Sequence, residues 1–336
     1  MEQSCGWVSK TTARLRSCSP PTSGKPVSDS RRRLLPYAAL ITLALIWGGS
    51  FLAIKVAVRD MSPEVLLLLR SLTGFLALAL IILLSGRPLF GHGWRGRVGS
   101  FAFMAVTNSV VPWIAIAWGE TEISSGLASI LNATTTLWTA VLIFWVVPSE
   151  RPSALNYLGV LIGFGGVVVL VYPELSAHGI SGSFLGAVAV LVASLSYAIN
   201  ALYQRRKMRS VSVHEVSLGQ LAAAVVFAVP IAAPSLPQVH IQLESLAAVI
   251  ALGALGTGVA YLLYYYVMNT LGAVRAAGVT FLVPVTAVFW GAALLKESIT
   301  VPILIGMTVI LAGIILTSVR RAPRQEPAAQ PDSAAA

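Results

Sequence analysis

Few side chains in this 336-residue sequence could do chemistry away from water, and only one of them is charged well inside an apolar run. Arg70 lies about 10 Å into a helix that begins at Pro63, at roughly 1.5 Å per residue. A cation at that depth costs several kcal/mol in lipid unless it is paired or wet. It is either a cavity-facing group that attracts a carboxylate, or a structural or snorkelling arginine bonded to nearby carbonyls or to Glu64. The other candidates are neutral. Ser125, Ser129, Asn132, Thr136 and Thr139 alternate by four and three residues and so share one helix face. Thr257, Tyr261 and Tyr264 form a second stripe, and Ser196, Asn200 and Tyr203 a third. Asn108 and Gln220 add amides, and Trp47 an aromatic face. Such groups hydrogen-bond and stack without breaking bonds. They line a polar cavity or bond one helix to another. The ligand class they suit is a small apolar or zwitterionic solute.

Bond-breaking chemistry finds little support. It needs a nucleophile with a base, a metal cluster or paired acids. The 13 Asp and Glu, and His92, His178, His214 and His240, all fall in tails, loops or helix ends. Buried acids and histidines are also the usual proton relays in membranes. Their absence at depth implies that a solute moves down its own gradient or by exchange. Glu120 and Glu150 are the remaining places for a proton. No phosphate-cradling GxxxxGK[ST] occurs, and neither a metal nor a cofactor is expected. Lys55, at a helix end, reads as snorkelling to the interface.

These residues are carried by ten apolar segments. They run Leu35–Ala57, Pro63–Leu84, Val98–Trp118, Ser124–Val147 and Asn156–Tyr172, then Ser183–Tyr203, Val216–Pro234, Leu246–Met268, Ala276–Leu295 and Val301–Val319. About 20 apolar residues span a bilayer core. The fold class is thus an all-α polytopic membrane protein with ten transmembrane helices. The chain is 56% hydrophobic and 11% charged, against about 25% charged in soluble domains. The net charge of +10 does not mark a nucleic-acid partner, because its distribution is one-sided. Nineteen of the 23 Lys and Arg fall in alternate loops and both tails, and only Arg59 and Lys296 fall opposite. This bias predicts cytoplasmic termini and an inner-membrane location. Residues 1–34 read as a basic, disordered tail that does not match a cleaved signal peptide. Residues 320–336 form a short C-tail, and Cys5 and Cys18 read as incidental.

The two halves, 35–172 and 173–319, repeat weakly. Trp47-Gly48-Gly49-Ser50 and Lys55 match Tyr197-Ala198-Ile199-Asn200 and Arg205. Glu64 matches Glu215, Glu150 matches Glu297, and Gly159 and Gly166 match Gly306 and Gly313. Five is odd, so the second half enters from the other side, giving two inverted five-helix repeats. Inverted repeats underlie many secondary transporters, with the substrate site at the repeat interface near the midplane. Gly159 and Gly163 also form a small-xxx-small pair, read as packing within the bundle, with a homodimer as the alternative.

Several runs resemble EamA-type transporters of the drug/metabolite transporter superfamily. They are Trp47-Gly48-Gly49-Ser50-Phe51, Arg70, Asn132 through Ala140, Thr257 through Tyr266 with Leu271-Gly272-Ala273, and Pro284 with Glu297. The resemblance covers roughly residues 35–319. It implies a carrier of small metabolites or drugs and does not name the solute. Thr136 departs from it, standing where the family usually has a proline, so the kink that proline would supply is in doubt. The expected function is export of an amino acid or related solute by alternating access, with a small molecule and the bilayer as partners. A sensor or assembly subunit, or an intramembrane enzyme, are the rival classes.

Overall fold

The computed structural model of the chain describes residues 29–146, 153–238, 241–271 and 278–318. Both cysteines, most of the two tails and Glu150 lie outside the described residues. Regular structure among the described residues is helical throughout. Ten apolar helices follow in order. They are α1 Leu34–Ala57, α2 Pro63–Leu84, α3 Trp94–Glu122, α4 Ser125–Ile143, α5 Ala154–Ala177, α6 Gly182–Lys207, α7 Val213–Ala232, α8 Leu243–Met268, α9 Val279–Leu295 and α10 Val301–Thr317. The first eight are long and apolar enough to cross a membrane, and α9 and α10 are shorter. The chain is a multi-pass membrane protein. The ends differ from the sequence reading by a few residues, most at α3 and α5, which both run past the expected stop.

Helix starts follow from capping. Ser124 accepts a hydrogen bond from the Leu127 N–H at 3.2 Å and so opens α4. Ser153 and Asn156 form a reciprocal capping box at α5. Each satisfies backbone donors that the first helical turn leaves orphaned.

Three helices are irregular. A π turn occupies Val106–Val110 of α3. Pro112 follows it and has no N–H, so the Asn108 carbonyl loses its usual donor and the ladder loosens there. A second π turn occupies Ala254–Val259 of α8, which contains Gly256 and Gly258. α4 is interrupted after Asn132 and resumes at Thr135. The break forms without a proline in 125–146. Thr134 Oγ1 donates to the Leu131 carbonyl at 2.6 Å and Thr135 Oγ1 to that of Asn132 at 2.8 Å. Threonine back-bonding of this kind bends helices.

Packing joins the two halves throughout. α1 lies against α8 and α9, α2 against α7 and α8, α3 against α6 and α7, and α4 against α6 and α9. α5 pairs with α10. Lipid gives no hydrophobic drive between helices, so close packing must supply it. The α5–α10 crossing shows how. A Cβ on Gly313 would stand 2.5 Å from the Gly163 nitrogen and 2.6 Å from the Gly159 oxygen. The small residues of α5 are thus used within the chain. Leu84, Leu161, Val226 and Leu243 are exposed and present an apolar surface to hydrocarbon.

Polar ties close the bundle ends. Arg97 forms an ion pair with the buried Glu215, whose carboxylate also accepts from the Gly91 N–H at 3.3 Å. These tie the α2–α3 connection to the start of α7. Asp60 accepts from the Gln242 N–H at 3.2 Å and ties the start of α8 to the α1–α2 turn.

Candidate functional site

The polar residues that the sequence singles out fall into two groups and three outliers. The first group surrounds Arg70. Its guanidinium lies over the Trp113 ring of α3, 3.9 Å from the centroid. Such a cation–π contact is worth about 0.5–2 kcal/mol. The guanidinium makes no hydrogen bond or ion pair among the described residues, and its buried Nε has no acceptor. The expected alternative pairing with Glu64 is therefore not made. Tyr197 of α6 and Tyr261 of α8 lie within electrostatic reach of the same cation.

Tyr261 extends the group. Its hydroxyl accepts from Gln220 Nε2 of α7 at 3.1 Å, with Ser217 and Asn108 within hydrogen-bonding reach. Asn200 Nδ2 of α6 donates to Asn108 Oδ1 at 3.0 Å. The π turn of α3 contributes backbone too: Ser196 Oγ donates to the Thr107 carbonyl at 2.8 Å. Gln220 Oε1 is buried without a donor. Arg70, Asn108, Asn200, Gln220 and Tyr261 thus form one cluster at the seam between the halves. It contains a cation over an indole ring, three side-chain amides and a tyrosine hydroxyl. Its unsatisfied groups can orient a small solute by a charge-assisted bond to a carboxylate.

The second group lies on the α1–α8 seam. Trp47 Nε1 donates to the Gly256 carbonyl at 3.3 Å, within the π turn of α8. The Trp47 and Tyr264 rings meet with centroids 5.7 Å apart. Thr257 is buried against Gly74 of α2 and serves the helix crossing. Asn132 and Thr136 sit on α4, and no hydrogen bond among the described residues joins them to the Arg70 cluster. Asn132 Oδ1 is buried without a donor. It is Thr134 that ties α4 to α6, through a 2.9 Å contact between its hydroxyl and that of Ser194.

Trp113 and Tyr197 were missed in the sequence. Tyr197 is three residues before Asn200 and so shares its face. Trp113 carried no signal beyond its place after Pro112.

Two expectations about charge are corrected. Lys55 does not snorkel. Its ammonium turns inward and donates to the carbonyls of Glu120 and, at 2.8 Å, Ile123. A cation there neutralises the C-terminal end of α3, where carbonyls lack partners. The second correction is Glu120. It lies in the last turn of α3, yet it is fully buried, and neither carboxylate oxygen has a hydrogen-bond partner among the described residues. Glu297 complements Lys55 across the same turn. Its carboxylate accepts from the Ser125 N–H and hydroxyl, both at 2.9 Å, and from the Gly126 N–H at 3.3 Å. An anion thus caps the start of α4 directly after a cation caps the end of α3.

Comparison with known proteins gives the family. The model of the EamA-like transporter family matches residues 34–172 and again residues 184–319. The chain belongs to the EamA-like transporter family. The inner membrane transporter YedA of Escherichia coli is 28% identical over 297 residues, 85% of this chain and 92% of its own. The transporter YoaV of Bacillus subtilis is 24% identical over 281 residues, 83% of this chain and 95% of its own. A Salmonella typhimurium protein named "probable amino-acid metabolite efflux pump" is 26% identical over 296 residues, 83% and 93% of the two chains. One crystal structure superposes with a TM-score of 0.60 at 19% identity, covering 86% of this chain and 96% of the other, a likeness of fold alone. In this EamA-like chain the Arg70 cluster draws α2 and α3 from the first matched region, and α6, α7 and α8 from the second.

Proposed function

We propose that the protein is a secondary transporter of the cell's inner membrane that exports a small carboxylate-bearing metabolite, such as an amino acid, by alternating access. The observation that carries this reading is the Arg70 guanidinium, without a hydrogen-bond partner among the described residues and held over the Trp113 ring among amides and tyrosines from both halves. A structural arginine would be expected to spend its five donors on nearby oxygens. The named function of the Salmonella relative supports the solute class. The two halves are read as inverted repeats. Helix contacts support this: if α1–α5 correspond to α6–α10, the α1–α9 contact mirrors α6–α4, α3–α6 mirrors α8–α1, and α3–α7 mirrors α8–α2. The test compares metabolites inside cells and in the medium, with and without expression. Selective loss from cells of carboxylate-bearing solutes is expected. Unchanged pools with purified, folded protein would favour a sensor or assembly role.

The orientation has its own test. Both termini, with the connections α2–α3 and α6–α7, are assigned to the cytoplasm from the basic bias. Single cysteines placed at Ser176 and Ser235 should react with an impermeant thiol reagent in intact cells, and one at Ser210 should not. Reversed labelling would invert the topology.

A further inference from the structure

Among the described residues, Glu120 is the one buried acid whose burial the packing of the bundle does not explain. Glu215 is paired with Arg97, and Glu297 is used as a helix cap. Glu120 has neither role. Its neighbours can be named from each side. Lys55 comes from α1 and gives its hydrogens to main-chain carbonyls, one of them that of Glu120 itself. Glu297, at the end of α9, faces the start of α4 and spends its oxygens there. Arg70 of α2 lies within electrostatic reach, over Trp113. α6 meets this turn of α3 with Gly186 and Val190, which carry no charge. Glu122, on α3 itself, lies against Gly182. Three charged groups, Lys55, Glu297 and Arg70, thus lie within electrostatic reach of the carboxyl group, and none of them hydrogen-bonds it among the described residues.

An ionised carboxylate out of water is costly unless donors satisfy it. A bundle that keeps one without donors is suited to a carboxyl group that is charged only when its surroundings open. The opening is built from the same elements. α1 and α3 are clasped here by Lys55, and α9 and α4 by Glu297, so parting these helix ends uncovers Glu120.

We propose that Glu120 is a proton-binding site and that its protonation is coupled to solute movement. The proposal rests on the transporter reading above. The carboxylate takes up one proton when the ends of α1 and α3 part, and the resulting neutral acid returns that proton on the opposite side. No electron or other group moves. Coupling requires that the two sites sense each other. Arg70 lies within electrostatic reach of Glu120, so a carboxylate that neutralised the guanidinium would change the field at Glu120. On this proposal, export is coupled to a proton as well as to the solute's own gradient or an exchange partner.

Two measurements test this. The first uses no solute. Infrared difference spectra on acidification are recorded for purified protein, Glu120→Gln and Glu297→Gln. A carboxyl band present in the wild type and Glu297→Gln, and lost in Glu120→Gln, supports the site. A Glu120→Gln spectrum equal to the wild type overturns it. If the glutamine variant is not monodisperse, Glu120→Asp serves, and its band should persist but shift. The second uses proteoliposomes and an isotope-labelled amino-acid mixture. Glu120→Gln should retain exchange of the label and lose accumulation driven by an imposed pH gradient. Equal accumulation in both proteins overturns the coupling, as does loss of exchange, which would make Glu120 a solute-binding group. If the wild type exchanges nothing, the amino-acid reading fails, and the infrared result decides the proton site alone.

Discussion

Replacing Arg70 with glutamine is expected to weaken binding of carboxylate-bearing solutes by about 10- to 150-fold while leaving the protein folded. The estimate follows from losing one charge-assisted hydrogen bond, about 1.5–3 kcal/mol. Folding should tolerate the change because the guanidinium hydrogen-bonds to no described residue, and what is lost is its stacking on Trp113 and its longer-range attraction to Glu120. Arg70→Lys should recover part of the affinity, since an ammonium cannot reproduce the bidentate fork. The measurement compares a carboxylate solute with its amide analogue on monodisperse protein. The carboxylate should lose affinity and the amide should not. A structural arginine would behave differently: abundance would fall and both ligands would weaken alike. Trp113→Ala separates the parts further. It removes the ring that orients the guanidinium and should weaken both solutes modestly, without abolishing the preference for the carboxylate.

The ten helices were legible because a spanning segment is declared by length and apolar content alone. The cluster of Asn108, Asn200, Gln220 and Tyr261 was legible as a set of candidates, since polar groups at depth must avoid lipid. That these four meet one another depends on which helices adjoin, and one sequence does not carry that. Asn132 and Thr136 bear the same signal and do not join the cluster, for the same reason. Trp113 and Tyr197 were hidden because aromatic residues also collect at bilayer interfaces. Lys55 and Glu120 show the limit most sharply. Both lie near helix ends, where a charge ordinarily meets water. Here the ends of α1, α3 and α4 converge, so the lysine finds carbonyls and the acid finds protein. The π turn of α3 could have been anticipated from Pro112, whose missing donor falls four residues after Asn108.

Removing the Glu297 carboxylate should cost about 3 kcal/mol of stability. The carboxylate accepts three hydrogen bonds at the start of α4, two from backbone N–H groups that have no other partner. Each charge-assisted bond is worth about 1.5–3 kcal/mol, and an anion at a helix N-terminus adds about 0.3–1 kcal/mol. The three bonds are not additive at a half-buried site that water reaches, so the loss is set near the upper end of a single charge-assisted bond. Glu297→Ala should therefore melt at a lower temperature in detergent and yield less folded protein. Glu297→Gln keeps one acceptor oxygen and should lie between the two. Ser125→Ala removes only the hydroxyl donor and should cost about 1 kcal/mol. Combining it with Glu297→Ala should cost less than the sum, because the two groups share one bond. The effect should also be blind to solute: remaining folded protein should keep the carboxylate preference set by Arg70. A Glu297→Ala protein of normal melting temperature with altered solute preference would move Glu297 from the cap of α4 into the binding site.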